Sequence, residues 1–351
     1  MKRFGVVVTM AALLAASFSL PCVAKEGAQQ YAELGRCMLD SGQAIEHCRV
    51  GYRTLGRLNA DGSNAVLMPT WLYGNSASLL SLVGPGSTQL VDPAKYYVVL
   101  LDALGDSVAS SPSNSATQRG THFPSFTERD IVRAEYRTVT EVLHLKHAHA
   151  LIGISMGGEQ VFEWAVTYPK FFDLAVPIVG TPQPTSYDLL SHTIREQAIE
   201  NDPEYNHGRY TTQPRLRLAN ELLYMQLTTP EYRVTHTPRE DFPAMLQMAG
   251  RPVQLDANDR LWQLRAVLWL DVTGGRPLAE VAKTSPEKWL VINSAQDHVV
   301  NPQPARTWAQ AIGAEFYLSN TPCGHLIMEC DGVEVSRRVK HFLDGKTAQP
   351  E

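Results

Sequence analysis

Gly153-Ile154-Ser155-Met156-Gly157-Gly158 lies between an apolar run, Ala148 to Ile154, and a helical pattern, Glu159 to Tyr168. A serine between two glycines at a strand-to-helix turn reads as an exposed nucleophile held in a sharp elbow. The residue types follow from the geometry. A strained turn lifts the serine Oγ out of the sheet, and a side chain at either flanking position would collide with the adjoining strand and helix. The alternative reading is a glycine-rich strand end with an incidental serine. The strand–turn–helix context around the motif favours the nucleophile.

Outward from the elbow, the pattern alternates strand and helix. Upstream, Tyr31 to Leu58 reads as an N-terminal β-hairpin, and Ala65 to Thr70 as a strand followed by the loop Trp71-Leu72-Tyr73-Gly74-Asn75. Tyr96 to Asp102 is almost wholly apolar, as a strand buried on both faces of a parallel sheet should be. Phe126 to Leu143 reads as a helix. Downstream, Pro169 ends the elbow helix, and a strand follows at Leu174 to Val179. From Pro182 to about Thr284 no strand is legible. Three helical stretches are: Tyr187 to Asn201, Arg215 to Leu227 and Asn258 to Leu270, which together predict a helical lid inserted at about 182–284. Alternation resumes with the strand Trp289 to Ser294, the helix Pro304 to Ile312, the strand Glu315 to Ser319 and a last helix, Gly332 to Leu343. Strands alternating with helices predict an α/β fold, with a mostly parallel sheet covered on both faces.

A serine hydroxyl is a weak nucleophile at its own pKa and needs a base, which in turn needs an orienting acid. Asp297 follows the strand Trp289 to Ser294, and His325 follows the strand Glu315 to Ser319, so the order is Ser155, Asp297, His325. Asp102 and Asp173 are worse placed as the acid. Acyl transfer also needs oxyanion donors. One is the N–H of Met156, at the start of the elbow helix; the second is expected from Trp71, Leu72 or Tyr73. His147 and His149 share one strand face, and a solvated edge is the reading preferred there over a metal site.

The 351 residues are 44% hydrophobic, enough for a sizeable core. Lys2-Arg3, an apolar segment from Phe4 to Leu20, then Pro21 and Cys22-Val23-Ala24 follow the order of a secretory signal peptide. Residues 1–24 are therefore expected to be a leader, with a mature domain over 25–351 and a periplasmic or secreted destination. The formal charge of −5 becomes −7 when Lys2 and Arg3 are removed, which argues against nucleic acid or an anionic membrane surface as partner. No stable membrane insertion is expected once the leader is gone. Four cysteines then remain, Cys37, Cys48, Cys323 and Cys330. In an oxidising compartment they suggest two disulfides. Of three connectivities the local one is preferred, 37 with 48 and 323 with 330. Pairing Cys37 with Cys48 leaves Gly42-Gln43 as a two-residue hairpin loop. No phosphate-cradling or dinucleotide motif and no zinc-type spacing is present, so neither cofactor nor metal is expected.

Several ordered features resemble homoserine O-acetyltransferases and their relatives among the α/β hydrolases. They are Tyr52 to Asn59, Val83-Gly84-Pro85-Gly86, Phe123-Pro124, Thr127 to Asp130, Ser155 to Gln160 with Glu163-Trp164-Ala165, Arg195 to Ile199, and Asp256-Ala257-Asn258. The resemblance runs over roughly residues 33 to 343. It implies the α/β-hydrolase fold, a Ser155–Asp297–His325 triad, oxyanion donors at Leu72 and Met156, and contact of Arg195 with an amino-acid substrate. Two departures bear on specificity. The loop matching the family's oxyanion loop reads Thr70-Trp71-Leu72-Tyr73-Gly74, and bulky Trp71 and Tyr73 are expected to reshape the acyl pocket. Leu326 follows His325, where the family carries an aspartate for the substrate ammonium. Losing that charge-assisted contact weakens recognition of homoserine. The expected function is an exported serine-nucleophile hydrolase of small-molecule acyl esters. The alternative is an acyltransferase taking an acyl donor to an amino-acid hydroxyl, and the third reading is non-catalytic binding on a hydrolase scaffold. The sequence is compatible with a homodimer without specifying one.

Overall fold

The computed structural model describes residues 26–345; the expected leader, with Cys22, lies outside the described residues. An eight-stranded sheet has the order β1-β2-β4-β3-β5-β6-β7-β8. β1 (Gln30–Met38) and β2 (Ala44–Leu55) form the N-terminal hairpin, and β2 pairs antiparallel with β4. β3 (Ala65–Pro69), β4 (Tyr97–Leu101), β5 (Ala148–Ile154), β6 (Phe172–Ile178), β7 (Lys288–Ser294) and β8 (Glu315–Ser319) run parallel. Every side chain of β3 is buried, because helices cover both faces of the parallel part.

The helices are α1 (Ser76–Leu79), α2 (Glu128–Arg137), α3 (Met156–Thr167), α4 (Ser186–Glu200), α5 (Arg217–Leu227), α6 (Pro230–His236), α7 (Phe242–Ala249), α8 (Ala257–Leu268), α9 (Leu278–Ala282), α10 (Gln303–Ile312) and α11 (Ile327–Leu343). α2 opens on a capping box, Thr127 with Asp130, which satisfies two otherwise orphaned N–H groups. A single turn of π-helix, Thr138–Val142, ends it, so the expected helix of Phe126 to Leu143 is two conformations in series. One core lies between the sheet and α2, α3 and α10, where Phe162 stacks on Trp289 and meets Trp308 edge-on, with centroid separations among the three of 5.2–5.3 Å. The other packs Val335, Val339 and Leu343 of α11 against Leu290 and Ile292 of β7.

The structure corrects several expectations. Cys37 stands opposite Ile45, and Cys48 opposite Gly35, because β1 is bulged on both sides of Gly35. The turn is therefore not the two-residue Gly42-Gln43 loop. Leu39 N–H donates to Gln43 O at 2.9 Å and Gly42 N–H to Leu39 O at 2.9 Å, with Gly42 at φ +81°, as in a longer hairpin loop closed by a left-handed glycine. The disulfides join Cys37 to Cys48 and Cys323 to Cys330, with Cα separations of 5.7 and 5.9 Å. β6 starts at Phe172 and stops before Val179, whose φ is +44°. The last helix begins at Ile327 rather than Gly332. Between residues 182 and 284 the structure adds α6, α7 and α9 to the three helices expected there. His147 lies 3.1 Å from Asp173, and His149 bonds Leu343 O at 3.0 Å and stacks on Tyr96. Among the described residues no group of side chains could hold a metal ion, and no helix is long and apolar enough to cross a membrane.

Candidate active site

β5 delivers Ser155 to the centre of the C-terminal edge of the sheet. Its backbone is at φ 58°, ψ −126°, a region that costs an L-residue on the order of 1–3 kcal/mol. The neighbours hold it there: Ser155 N–H donates to Ile178 O, and Glu159 N–H to Ser155 O, both at 2.9 Å. The glycines are required by space. A Cβ on Gly153 would stand 1.9 Å from Gly157 O, and one on Gly157 would stand 2.6 Å from Pro69 O.

Three side chains far apart in sequence meet at the elbow. His325 Nε2 lies 2.9 Å from Ser155 Oγ, and His325 Nδ1 lies 2.7 Å from Asp297 Oδ2. The Asp297 carboxylate only accepts, so Nδ1 carries the proton and Nε2 is left to accept from the serine hydroxyl. Asp297 Oδ1 takes the N–H groups of Val299 and Val300 at 2.8 and 2.9 Å. Its side chain is fully buried. The His325 loop is tied on several sides. Thr229 Oγ1 donates to Pro322 O at 2.7 Å, Leu326 N–H donates to Leu227 O at 3.3 Å, and the Cys323–Cys330 disulfide closes the loop onto α11.

The loop Thr70-Trp71-Leu72-Tyr73-Gly74, expected to supply an oxyanion donor, follows β3. Tyr73 N–H donates to Gln263 Oε1 at 3.0 Å, and Gln263 Nε2 donates to Leu104 O at 3.1 Å. Tyr73 is thereby occupied as a donor. Gln160 of α3 donates to Thr70 O at 3.0 Å and to Met156 O at 3.2 Å, binding the start of this loop to the elbow helix. Gln263 and Gln160 were given no role by the sequence, because a glutamine on a helix reads as a solvent-facing residue.

A cavity of about 450 Å³ opens onto Ser155 and His325, with Trp71, Leu72 and Tyr73 in its wall. A larger hollow of about 1060 Å³ lies at the opposite edge, against the first residues of β6 and β7, away from the serine. Arg195 does not line the smaller cavity. It is buried at 2% exposure, with Nη2 2.5 Å from His192 Nδ1. Its Nε and Nη1 have no hydrogen-bond partner among the described residues. Burial lowers the His192 pKa well below the usual histidine value, and the charges of Arg195 and His325 push the same way. A neutral His192 is the form that accepts from the guanidinium.

Beneath the elbow, Glu159 of α3 and Glu128 of α2 are both buried. Burial raises Glu159 to about 7, with His325 opposing the rise and Asp188 and Asp297 adding to it. Glu128 is raised well above the carboxylate range by burial and by Glu159. Two carboxyls held this way favour one shared proton over two charges.

With this geometry in view, the chain matches the α/β hydrolase fold family over residues 85–330. The chain belongs to that family. A homoserine O-acetyltransferase of Moorella thermoacetica is 30% identical, over 90% of this chain and 95% of that one, and the chain is a homoserine O-acetyltransferase-like member of the family. An ethyl acetate hydrolase of Pseudomonas veronii is 34% identical over 50% of this chain. The match spans about half the length of that esterase, 51%, and 54% of a probable esterase of Corynebacterium glutamicum. Among solved structures, the acetyl esterase MekB superposes with a TM-score of 0.82 at 25% identity, covering 91% of this chain and 96% of its own.

Proposed function

We propose that the protein is an exported serine esterase that works through an acyl-enzyme on Ser155. The observation that carries this is the continuous hydrogen-bonded line Ser155 Oγ–His325–Asp297, at 2.9 and 2.7 Å, beginning on a strained elbow. Ser155 Oγ attacks the ester carbonyl as His325 Nε2 takes its proton. Asp297 holds the tautomer and stabilises the imidazolium that forms. The carbonyl oxygen, now an oxyanion, lies between the N–H groups of Leu72 and Met156. The tetrahedral intermediate collapses, and His325 gives its proton to the departing alkoxide. Water then repeats the sequence, with His325 as base, and the acid leaves Ser155 free. The helices between 182 and 284 act as a lid over this site. Export rests on the leader pattern of residues 1–24 and is supported by the two disulfides, which persist in oxidising compartments.

The acyltransferase reading has an observation of its own. The two unpartnered nitrogens of buried Arg195 suit a carboxylate on an amino-acid acceptor. Hydrolase and transferase share every step to the acyl-enzyme and part only in what resolves it. Mature protein is incubated with a short-chain acyl ester, and with acetyl-CoA, each with and without homoserine, and the products are weighed. The esterase predicts free acid with the alcohol from the ester, free acid with CoA wherever acetyl-CoA is turned over, and no O-acylated homoserine, with all turnover lost in Ser155→Ala. An O-acylated amino acid as main product contradicts it, as does full ester hydrolysis by Ser155→Ala.

A further inference from the structure

The cavity at Ser155 is larger and drier than an acetyl ester requires. Its volume of about 450 Å³, at roughly 30 Å³ for each water-sized group, holds on the order of fifteen heavy atoms. Large apolar side chains line it, among them Leu82, Leu223 of α5 and Val253, each left half-buried around the same space. On the histidine side Leu326 and Met328 continue the apolar wall. The polar side chains that line the cavity are those of Ser155 and His325, the Trp71 indole N–H and the Tyr73 hydroxyl aside, together with Glu329, which is exposed. No Lys or Arg among the described residues lines it. Arg195 is held by His192, and Arg260 donates to Asn220 Oδ1 at 2.8 Å and lies 5.0 Å from the Tyr73 ring centre.

The two halves of an ester use this apolar wall for different lengths of time. The alcohol leaves beside His325, which protonates it. The acyl chain stays on Ser155 through both half-reactions, so the apolar wall serves it longest. We infer that the preferred substrates are neutral esters with a medium aliphatic acyl chain, roughly six to ten carbons by the volume above. The inference rests on the esterase reading and names its substrate class. Each methylene that enters removes apolar surface of chain and wall from water together. Glu329 adds repulsion against a carboxylate or phosphate at the end of the chain.

The test is a series of p-nitrophenyl esters from acetate to dodecanoate, at constant leaving group and below micelle formation, on the full mature protein. The expected kcat/KM rises about fourfold per methylene, the equivalent of ~0.8 kcal/mol, as far as the octanoate region, and then levels or falls. Leu223→Trp, which fills the cavity, lowers the octanoate-to-acetate ratio at least tenfold, and Val253→Phe does the same if Leu223→Trp does not fold. A maximum at acetate, a flat series, or a ratio unmoved in folded variants overturns the inference and leaves the esterase reading standing. No turnover at any length, with Ser155 never acylated, overturns the esterase reading and the inference with it.

Discussion

Gly153→Ala puts the elbow under direct test, because the structure grades three glycines by the space each leaves. An alanine Cβ at Gly153 falls 1.9 Å from Gly157 O and 2.2 Å from Gly157 C. Both are backbone atoms of the turn that presents Ser155, so no side chain can swing aside. Relief requires the turn to open by more than an ångström. At Gly157 the obstacle is Pro69 O at 2.6 Å, and at Gly158 the nearest atoms, Gly153 O and Ile178 O, stand at 3.1 Å. Overpacking of a rigid site costs about 1–3 kcal/mol and sometimes more. Gly153→Ala belongs at or beyond the upper end, and Gly158→Ala at the lower. For a chain of this size, about 2 °C per kcal/mol turns these into losses of about 6 °C or more and about 2 °C in Tm. Calorimetry gives the order, and labelling by a fluorophosphonate probe reports whether the serine is still presented. The predicted ranking is Gly153→Ala worst, Gly157→Ala next and Gly158→Ala mildest, with labelling slowed in the same order. A Gly153→Ala protein that melts and labels like the wild type refutes the elbow argument.

Further predictions follow from the surroundings of the site. Cys323→Ala with Cys330→Ala frees the loop that carries His325. Chain-entropy reasoning puts the stability loss at about 2–3 kcal/mol, read by urea unfolding, and a displaced imidazole lowers kcat more than it raises KM. Glu135 is buried, accepts from Trp164 Nε1 at 2.9 Å, and is raised by burial to about 8. The folded protein therefore holds this proton over a range where the unfolded chain has released it. Stability from this group is full below about 4.5 and falls until about pH 8, since the native state binds more protons there. Glu135→Gln should flatten that part of the Tm-against-pH curve, and an unchanged slope would show that Glu135 titrates normally. Gln160→Leu cuts the one bond from α3 to Thr70 O at the start of the loop after β3. It should lower kcat on esters roughly tenfold, the effect of about one net hydrogen bond, with KM little changed.

How much of this was legible depends on whether the signal is local. The elbow is local: a strand, two glycines around a serine and a helix sit in one short stretch. β8 runs over the residues its pattern marks, Glu315–Ser319. Ser155 and His325, 170 residues apart, could be paired in advance because each follows a readable strand. The N-terminal hairpin was legible but its turn was not, because bulges at Gly35 shift the register, and alternation cannot reveal an inserted residue. α11 begins with no side-chain cap at Leu326, so nothing in Ile327 to Asp331 announces a helix. α6 and α7 are short, with a proline as the first residue of α6 and the second of α7. Glu128, Glu135 and Glu159 are invisible as buried acids, since a charged residue on a helix reads as solvent-facing until the packing of α2 on α3 is known. Arg195 was named by resemblance alone; it lies buried beside His192 and outside the wall of the cavity at Ser155.

The central claim is that Ser155 carries the acyl group, and one measurement reaches it directly. Mature protein is quenched in acid within the first turnovers of a slow ester, digested, and the acylated peptide is located by mass spectrometry. The account predicts a single acyl adduct on the peptide containing Ser155, absent from Ser155→Ala and formed far more slowly in His325→Ala. Turnover with the adduct on another residue, or with no adduct while Ser155→Ala remains active, would contradict it.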